Sequence, residues 1–424
     1  MMKSTLKLVS FVIICAMGLS AFAQSKSKRD LDNYRQPDKR GINVFEAPKD
    51  SVTSFDDIYV RIGGQSTIQY QDLSHENSGA VELKEIGGNF NLATANLDID
   101  VALFNGVRMH LRTYLSSRHH PEPYVKGGYI QIDRLDFVNE GFMENFMKYA
   151  TLKIGHMENN YGDAHFRRSD NAQALYNPFV GNLIMDAFTT EVGAELYYQR
   201  NGWIGMVGFT NGKLNQDVAN PDTGGASFLA KLGYDKQITD DFRFRLTGSL
   251  YNTGAVRNSY LYNADRAGSR YYLVLEDTEA TAKNNFRSGR YNPSLRNKIT
   301  AIMFNPFVKY KGLEFFGTYE TATGRANSEP DDRTATQYAG ELIYRFGQDE
   351  KFYVGGRYNK VDSEDPSGDD IEISRFNVAA GWFLTKNILA KLEYVSQKHD
   401  GYNSASIFND GQFDGLMIET VISF

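Results

Sequence analysis

Cysteine is almost missing from this chain: a single one, Cys15, stands in 424 residues, and it falls inside an N-terminal apolar run. The rest of the chain therefore has no disulfide framework, no thiol nucleophile and no cysteine metal ligand. Tryptophan (2) and proline (10) are also scarce. Beyond the N-terminus no apolar run approaches the roughly 18 residues that a membrane-crossing helix needs. Neither sign of charge dominates: 46 basic and 52 acidic residues give a formal net charge of −6, which argues against bulk nucleic-acid binding. No G-x-S-x-G, H-E-x-x-H or phosphate-loop pattern occurs.

Against these absences stand 28 Phe, 26 Tyr and 38 Gly, with a mean hydropathy of −0.45. That combination suits many half-buried strands, a profile that soluble all-β proteins share. Residues 1–23 read as a secretory signal. Lys3 and Lys7 precede an apolar run from Leu8 to Leu19, and Ala21-Phe22-Ala23 predicts cleavage after Ala23. Val12-Ile13-Ile14, before Cys15, is no lipoprotein acceptor box, so no lipid anchor is expected. Export without helices leaves the periplasm, secretion or a barrel. Residues 24–56 are polar, with Lys26, Lys28, Arg29, Lys39 and Arg40, and are expected to form a periplasmic N-terminal segment. They read as a flexible tail, with a short plug or wall-contacting stretch as the alternative.

From Asp57 to Phe424 the side chains alternate with the period of a strand. In the closing stretch Leu416, Ile418, Thr420, Ile422 and Phe424 share one face, while Met417, Glu419, Val421 and Ser423 share the other. The same pattern predicts strands over 57–70, 90–103, 107–115, 126–136, 148–156, 188–198, 203–210 and 226–236. It continues over 241–252, 298–310, 313–322, 336–346, 351–361, 373–384, 388–397 and the terminal stretch. Connections after even-numbered strands are mostly short and those after odd-numbered strands long, a sorting that a soluble sandwich has no reason to show. The expected fold is all-β: a transmembrane antiparallel β-barrel of 16 strands over 57–424, with short periplasmic turns and long external loops. Phe104-Asn105-Gly106 should join the second and third strands, placing Asp98 opposite Arg112 and Asp100 opposite His110. Pro306 should cost the tenth strand one ladder bond. Tyr198, Trp203, Tyr234, Phe242, Tyr310, Phe346 and Phe352 gather at the short-turn ends as a candidate interfacial girdle.

The other face is charged. Candidate pore-lining residues are Arg108, His110, Arg112, Asp98, Asp100, Lys153, Arg243 and Arg245, unless these are wall charges that pair with one another. The long connection 157–187 adds Glu158, Asp163, Arg167 and Arg168, beside His165, Asp170 and apolar Phe179, Leu183, Ile184 and Met185. A wholly solvated loop would not need that apolar set, so the connection is expected to fold inward as the constriction. Loop 253–297 carries more bases than acids and reads as an anion funnel or a solvated loop. His119-His120-Pro121-Glu122 offers metal-ligating groups without further ligands nearby, and no metal or other cofactor is expected.

Leu152-Lys-Ile-Gly-His156, Asn305-Pro-Phe-Val-Lys-Tyr-Lys-Gly-Leu-Glu-Phe-Phe-Gly317, Leu389-Ala-Lys-Leu-Glu-Tyr-Val395 and terminal Phe424 carry a resemblance. In them the chain resembles outer-membrane porins of the phosphate-selective porin O/P type, in the broad sense. The resemblance implies a sixteen-stranded, usually trimeric, passive channel. Phosphate selectivity there rests on a lumen arginine ladder and basic loops. Here Arg108 and Arg112 stand against Asp98 and Asp100, and loop 362–370 holds Asp362, Glu364, Asp365, Asp369 and Asp370 without a base. The porin is carried over and the phosphate is not. The expectation is a diffusion channel in the outer membrane for small hydrophilic solutes or ions, with anion against cation preference left open by the mixed charge. Lipid and, through the strand ending at Phe424, the barrel-assembly machinery are the expected partners. A non-conducting structural or adhesive barrel is the alternative. An outer-membrane hydrolase would need a Ser/His or Asp/His pair that the seven histidines do not suggest.

Overall fold

The structure, a computed structural model, describes residues 31–49, 55–116, 124–212, 225–254, 256–263 and 268–424. The predicted signal, residues 24–30 and the His119–Glu122 motif lie outside the described residues. Sixteen strands occur in order: β1 (Tyr59–Glu76), β2 (Asn89–Phe104), β3 (Val107–Ser116), β4 (Tyr124–Ile132), β5 (Ala150–Glu158), β6 (Thr190–Arg200), β7 (Trp203–Thr210) and β8 (Ser227–Thr239). They continue as β9 (Phe242–Thr253), β10 (Lys298–Tyr310), β11 (Leu313–Arg325), β12 (Arg333–Phe346), β13 (Phe352–Glu364), β14 (Asp370–Thr385), β15 (Ile388–Asp400) and β16 (Gln412–Ser423). Each pairs antiparallel with its neighbours in sequence, and β16 pairs with β1, so the sheet closes on itself. Closure removes both edges, which a sheet in hydrocarbon must do because lipid offers its backbone no hydrogen bonds.

The period-2 pattern sorts the two faces. Leu416, Ile418, Ile422 and Phe424 are exposed on the outside, whereas Met417, Glu419 and Val421 are fully buried within. Registers match expectation where charge pairs set them: Asp98 faces Arg112 and Asp100 faces His110. The β2–β3 turn is one residue tighter than expected. Phe104 pairs with Val107 across Asn105-Gly106, the register shifts between Ala102 and Phe104, and Gly106 takes φ +68°. At Pro306 the β10–β11 pairing is interrupted. The side-chain amide of Asn305 bridges the gap by donating to the Gly317 carbonyl and the Thr318 hydroxyl, each at 3.0 Å.

Strand ends differ mainly at the long-loop side. β1 runs on to Glu76 and β14 starts at Asp370, because these residues extend their ladders beyond the apolar band. β4 ends at Ile132, earlier than expected, and residues 133–149 form a connection with one helical turn, Glu144–Met147. The other described turns at this end are mostly two residues, such as Asn201-Gly202 and Lys311-Gly312. A row of aromatic contacts, stacked and edge-on, runs along the same end on the lipid side. Phe346 lies 5.8 Å from Phe352, Phe352 lies 6.1 Å from Trp382, and Trp203 lies 5.3 Å from Tyr234.

Candidate functional site

Three stretches of chain lie inside the barrel. The first is the β5–β6 connection, whose residues 159–189 are nearly all buried. Irregular backbone at that depth must find hydrogen bonds from protein, and inward side chains of the wall supply them. Glu393 accepts from the Val180 amide (2.8 Å), Gln337 from the Met185 amide (2.9 Å) and Asn359 from the Ile184 amide (2.7 Å). Lys391 donates to the carbonyls of Ala174 and Phe179 at 2.7 and 3.0 Å. Tyr161, Ile184 and Met185 join Leu229, Tyr251 and Ile299 of the wall in an apolar cluster within the lumen, which accounts for the greasy residues of this loop.

The second stretch is the β9–β10 connection. It is solvated only in part: residues 277–279 and 281–284 are exposed, whereas Leu261, Tyr262, Arg270, Tyr271 and Val274 are buried. Tyr262 donates to Glu320 (2.6 Å), Tyr271 donates to Glu393 (2.7 Å), and Arg270 is buried against Thr67 (3.2 Å) and the Ser169 carbonyl.

The third stretch is residues 31–49, which are no free tail. Phe45 sits among Phe166, Phe307 and Phe316, with ring centroids 5.4 to 6.4 Å away. Asn43 donates to Glu314 at 2.6 Å. Glu46 meets Lys231 at 3.2 Å and Arg245 at 2.8 Å. The same two cations hold Asp163 of the β5–β6 connection at 3.0 and 2.8 Å, so one buried four-charge knot ties segment, loop and wall together. Burial pushes the Glu46 and Asp163 carboxyls up, and Arg245 followed by Lys231 more than reverses this, leaving both below their ordinary range.

Residues 31–49 border larger cavities at the short-turn end, of about 690 and 510 Å³; deeper, against the β1–β6 side of the wall, the stretches leave a cavity of about 170 Å³. Of the twelve sequence-derived candidates, Arg108, His110, Arg112, Asp98, Lys153 and Glu158 line it. Asp100 sits behind it, fully buried, accepting from His110 (2.8 Å) and Tyr34 (3.0 Å). The other five do not line it. Arg245 and Asp163 belong to the knot, and Arg243 pairs with Asp235 at 2.6 Å. Arg167 pairs with Glu341 at 3.0 Å and Arg168 with Asp186 at 2.9 Å. For these the reading of paired wall charges holds: opposite charges meet in close contacts rather than as two separated rows.

Lining residues that sequence reasoning missed are Tyr34, Arg35, Lys126, Tyr129, Gln131 and Tyr197. Strand alternation alone would turn Lys126 outward. The β3–β4 register shifts between Arg112 and Thr113, leaving Lys126 outside the pairing, and this irregularity brings it inward. Tyr34 and Arg35 carried one signal, an aromatic beside a cation in an otherwise polar segment. Arg35 lies 3.7 Å from the centre of the Tyr176 ring. Burial pushes its guanidinium down to about 10, still charged at neutral pH.

The cavity thus gathers Arg35, Arg108, Arg112, Lys126 and Lys153 against two carboxylates, Asp98 and Glu158. Both carboxylates are engaged. Asp98 takes a two-pronged bond from Arg112, with both contacts at 2.7 Å, and Glu158 accepts from Gln173 at 2.8 Å and from His165 and Asn171. Lys153 has no hydrogen bond or ion pair among the described residues and rests 4.9 and 5.6 Å from the rings of Tyr197 and Tyr129. The Nε of Arg108 likewise finds no protein acceptor. Two cationic donors, the Lys153 ammonium and the Nε of Arg108, are thus left without acceptors among the described residues, while Arg112 is held by Asp98 and Lys126 lies 3.9 Å from Asp170.

No family model matches the chain, and no curated protein matches it in sequence. Among solved structures it is similar to an anion-selective porin from Comamonas acidovorans, with a TM-score of 0.55 and 10% identity over 87% of this chain and 100% of that one. It is similar as well to OmpT of Vibrio cholerae in its trimer form, with a TM-score of 0.52 and 12% identity over 87% and 100% of the two chains. The outer membrane channel DcaP of Acinetobacter baumannii gives a TM-score of 0.51 and 10% identity over 88% and 100%. Likeness at this identity establishes the fold: a sixteen-stranded β-barrel of the outer-membrane type.

Proposed function

We propose that the protein is a passive outer-membrane porin for small hydrophilic solutes, with its constriction at the β1–β6 cavity and a preference for anions. One observation carries the reading. Five cations converge on a narrow space in which both carboxylates are already engaged, and Lys153, opposite Glu195 in the β5–β6 register, makes no ion pair among the described residues. At roughly 30 Å³ per molecule the cavity holds only about five or six waters, so a solute crosses it largely stripped of its own hydration. Wall charges then decide what passes. The fold shared with outer-membrane porins and channels supports the location and the passive mechanism, and no catalytic residue is assigned. Phosphate is not singled out, because Arg112 is occupied by Asp98. A trimer fits the reading, since one similar structure is a trimer form.

A specific observation favours a second reading, a non-conducting barrel: three stretches of chain fill most of the lumen. Single-channel recording of the purified protein in a planar bilayer separates the two. Discrete current steps are expected, and a bilayer that holds the protein yet stays silent would defeat the porin.

A further inference from the structure

Among the described short-turn connections only the β4–β5 one, residues 133–149, is long. Buried Asp133 at its start is tied to Lys49 of the luminal segment at 2.8 Å, and the connection borders a cavity at this end with Asp32, Asn33 and Lys49, but neither accounts for the residues that follow. Its buried apolar residue, Met147, packs with Ile132 and Ala150, and Ile130, Leu152 and Tyr198 pack around them. These residues alternate with Gln131, Lys153 and Tyr197, which face the cavity, so Met147 covers the outer wall. Phe146 stacks on Tyr198 with ring centroids 5.9 Å apart. The connection therefore folds back over the outside of the barrel at the height of the aromatic row.

This position leaves Phe137, Val138, Phe142, Met143 and Phe146 between 39% and 58% exposed, a strip that water would penalise. Two cations flank it: Lys148 and Arg200 both approach the Tyr149 ring, at 5.7 and 4.8 Å. Of the carboxylates at the strip, Asp136 is already paired with Arg134 at 2.8 Å, while Glu140 and Glu144 are exposed and stay on the water side of the boundary in this arrangement.

We propose that the β4–β5 connection is a membrane-interface anchor. Its apolar side chains enter the headgroup–acyl boundary of the leaflet at the short-turn end, and Lys148 and Arg200 meet phospholipid phosphates there. The strip is continuous with the lipid-facing wall: it grows out of Ile132, Leu152 and Tyr198, extends the aromatic row at this end, and pairs apolar side chains with cations as interfacial segments do. It rests on the reading that the barrel spans a membrane.

The test is depth-dependent quenching. Full-length protein carrying Trp203→Phe, Trp382→Phe and Phe142→Trp is folded into vesicles of phosphatidylcholine and phosphatidylglycerol with lipids brominated at defined depths. Emission is expected to shift to the blue and to be lost most strongly to shallow bromines. An unshifted, unquenched tryptophan would place the strip in water, and a shifted but unquenched one would place it under protein, such as a second copy of the chain; either overturns the anchor. If that variant fails to show the heat-dependent mobility of a folded barrel, Phe137→Trp, on a more exposed site, takes its place. Lys148→Gln with Arg200→Gln should abolish any difference in shallow quenching between phosphatidylglycerol-rich and phosphatidylcholine-only vesicles, and an unchanged difference removes the phosphate contact. Ion flux through the same vesicles separates this idea from the porin reading: flux without quenching defeats only the anchor, and quenching without flux defeats only the channel.

Discussion

Lys153→Met is the sharpest perturbation of the proposed constriction. Arg112 cannot be removed cleanly, since its loss strands the Asp98 carboxylate it holds at 2.7 Å. Lys153 has no such partner among the described residues; it touches only the rings of Tyr129 and Tyr197. Cation–π contacts of this kind contribute about 0.5 to 2 kcal/mol, and a methionine on the same two rings recovers part of that. The barrel should therefore keep its folded, heat-modifiable state. An anion passing about 4 Å from the ammonium would lose ~1 kcal/mol of attraction at the dielectric of water and ~4 kcal/mol at that of a protein surface. That range corresponds to roughly a 5- to 700-fold drop in anion occupancy. The lower end is expected, because four other cations remain and salt screens the site. The assay is the reversal potential in a salt gradient across a planar bilayer, where the anion-to-cation permeability ratio should fall about fivefold. Lys153→Arg, which keeps the charge, should leave it close to wild type. A folded Lys153→Met channel with an unchanged ratio would refute the assignment of the permeation path to this cavity.

Three further outcomes are expected from the same contacts. Glu46→Gln removes one acid from the knot with Lys231 and Arg245 and should lower resistance to unfolding by roughly 3 to 5 kcal/mol, while raising conductance as residues 31–49 loosen; heat-modified electrophoresis and single-channel recording read the two effects. Because Glu46 is held below its ordinary value of 4.5, its stabilisation is present above that value and is lost as pH falls through the depressed one. The difference in unfolding midpoint between wild type and Glu46→Gln should accordingly stay constant from neutral pH down to 4.5 and shrink only at more acid pH, and a difference that vanishes above 4.5 would show that the carboxylate is not held by its cations. Deleting Phe424 removes two closing hydrogen bonds, in which Phe424 and Gly64 exchange amide and carbonyl contacts at 3.0 Å. Yield of inserted barrel in cells should fall more than the conductance of those molecules that do insert, and normal insertion would count against a role for this residue in assembly.

The barrel was legible because a strand that faces lipid on one side must alternate, and Leu416 to Phe424 cannot alternate without declaring which side is which. Registers were legible where charge met charge, as at Asp98 and Arg112. What the lumen contains was less so. A polar segment such as residues 31–49 reads the same whether it is bathed in water or packed against a polar wall, since both environments satisfy Asn43 and Glu46. Phe45 and the Tyr34-Arg35 pair were the hints of burial. Lys126 was hidden by a register irregularity that reverses the parity of one residue, and periodicity cannot locate such a shift in advance. The packing of the β4–β5 connection on the outer wall depends on Met147 meeting Ile132 and Ala150, a contact between parts of the chain that sequence alone does not bring together.

If solutes cross beside Arg35, Arg108, Arg112, Lys126 and Lys153, the unmodified protein is selective for anions, and its reversal potential shows this without any substitution. In a planar bilayer with concentrated potassium chloride on one side and dilute on the other, stepwise currents are expected whose reversal potential lies toward that of chloride. Currents that reverse toward the potassium potential, or no steps at all, would refute this permeation path.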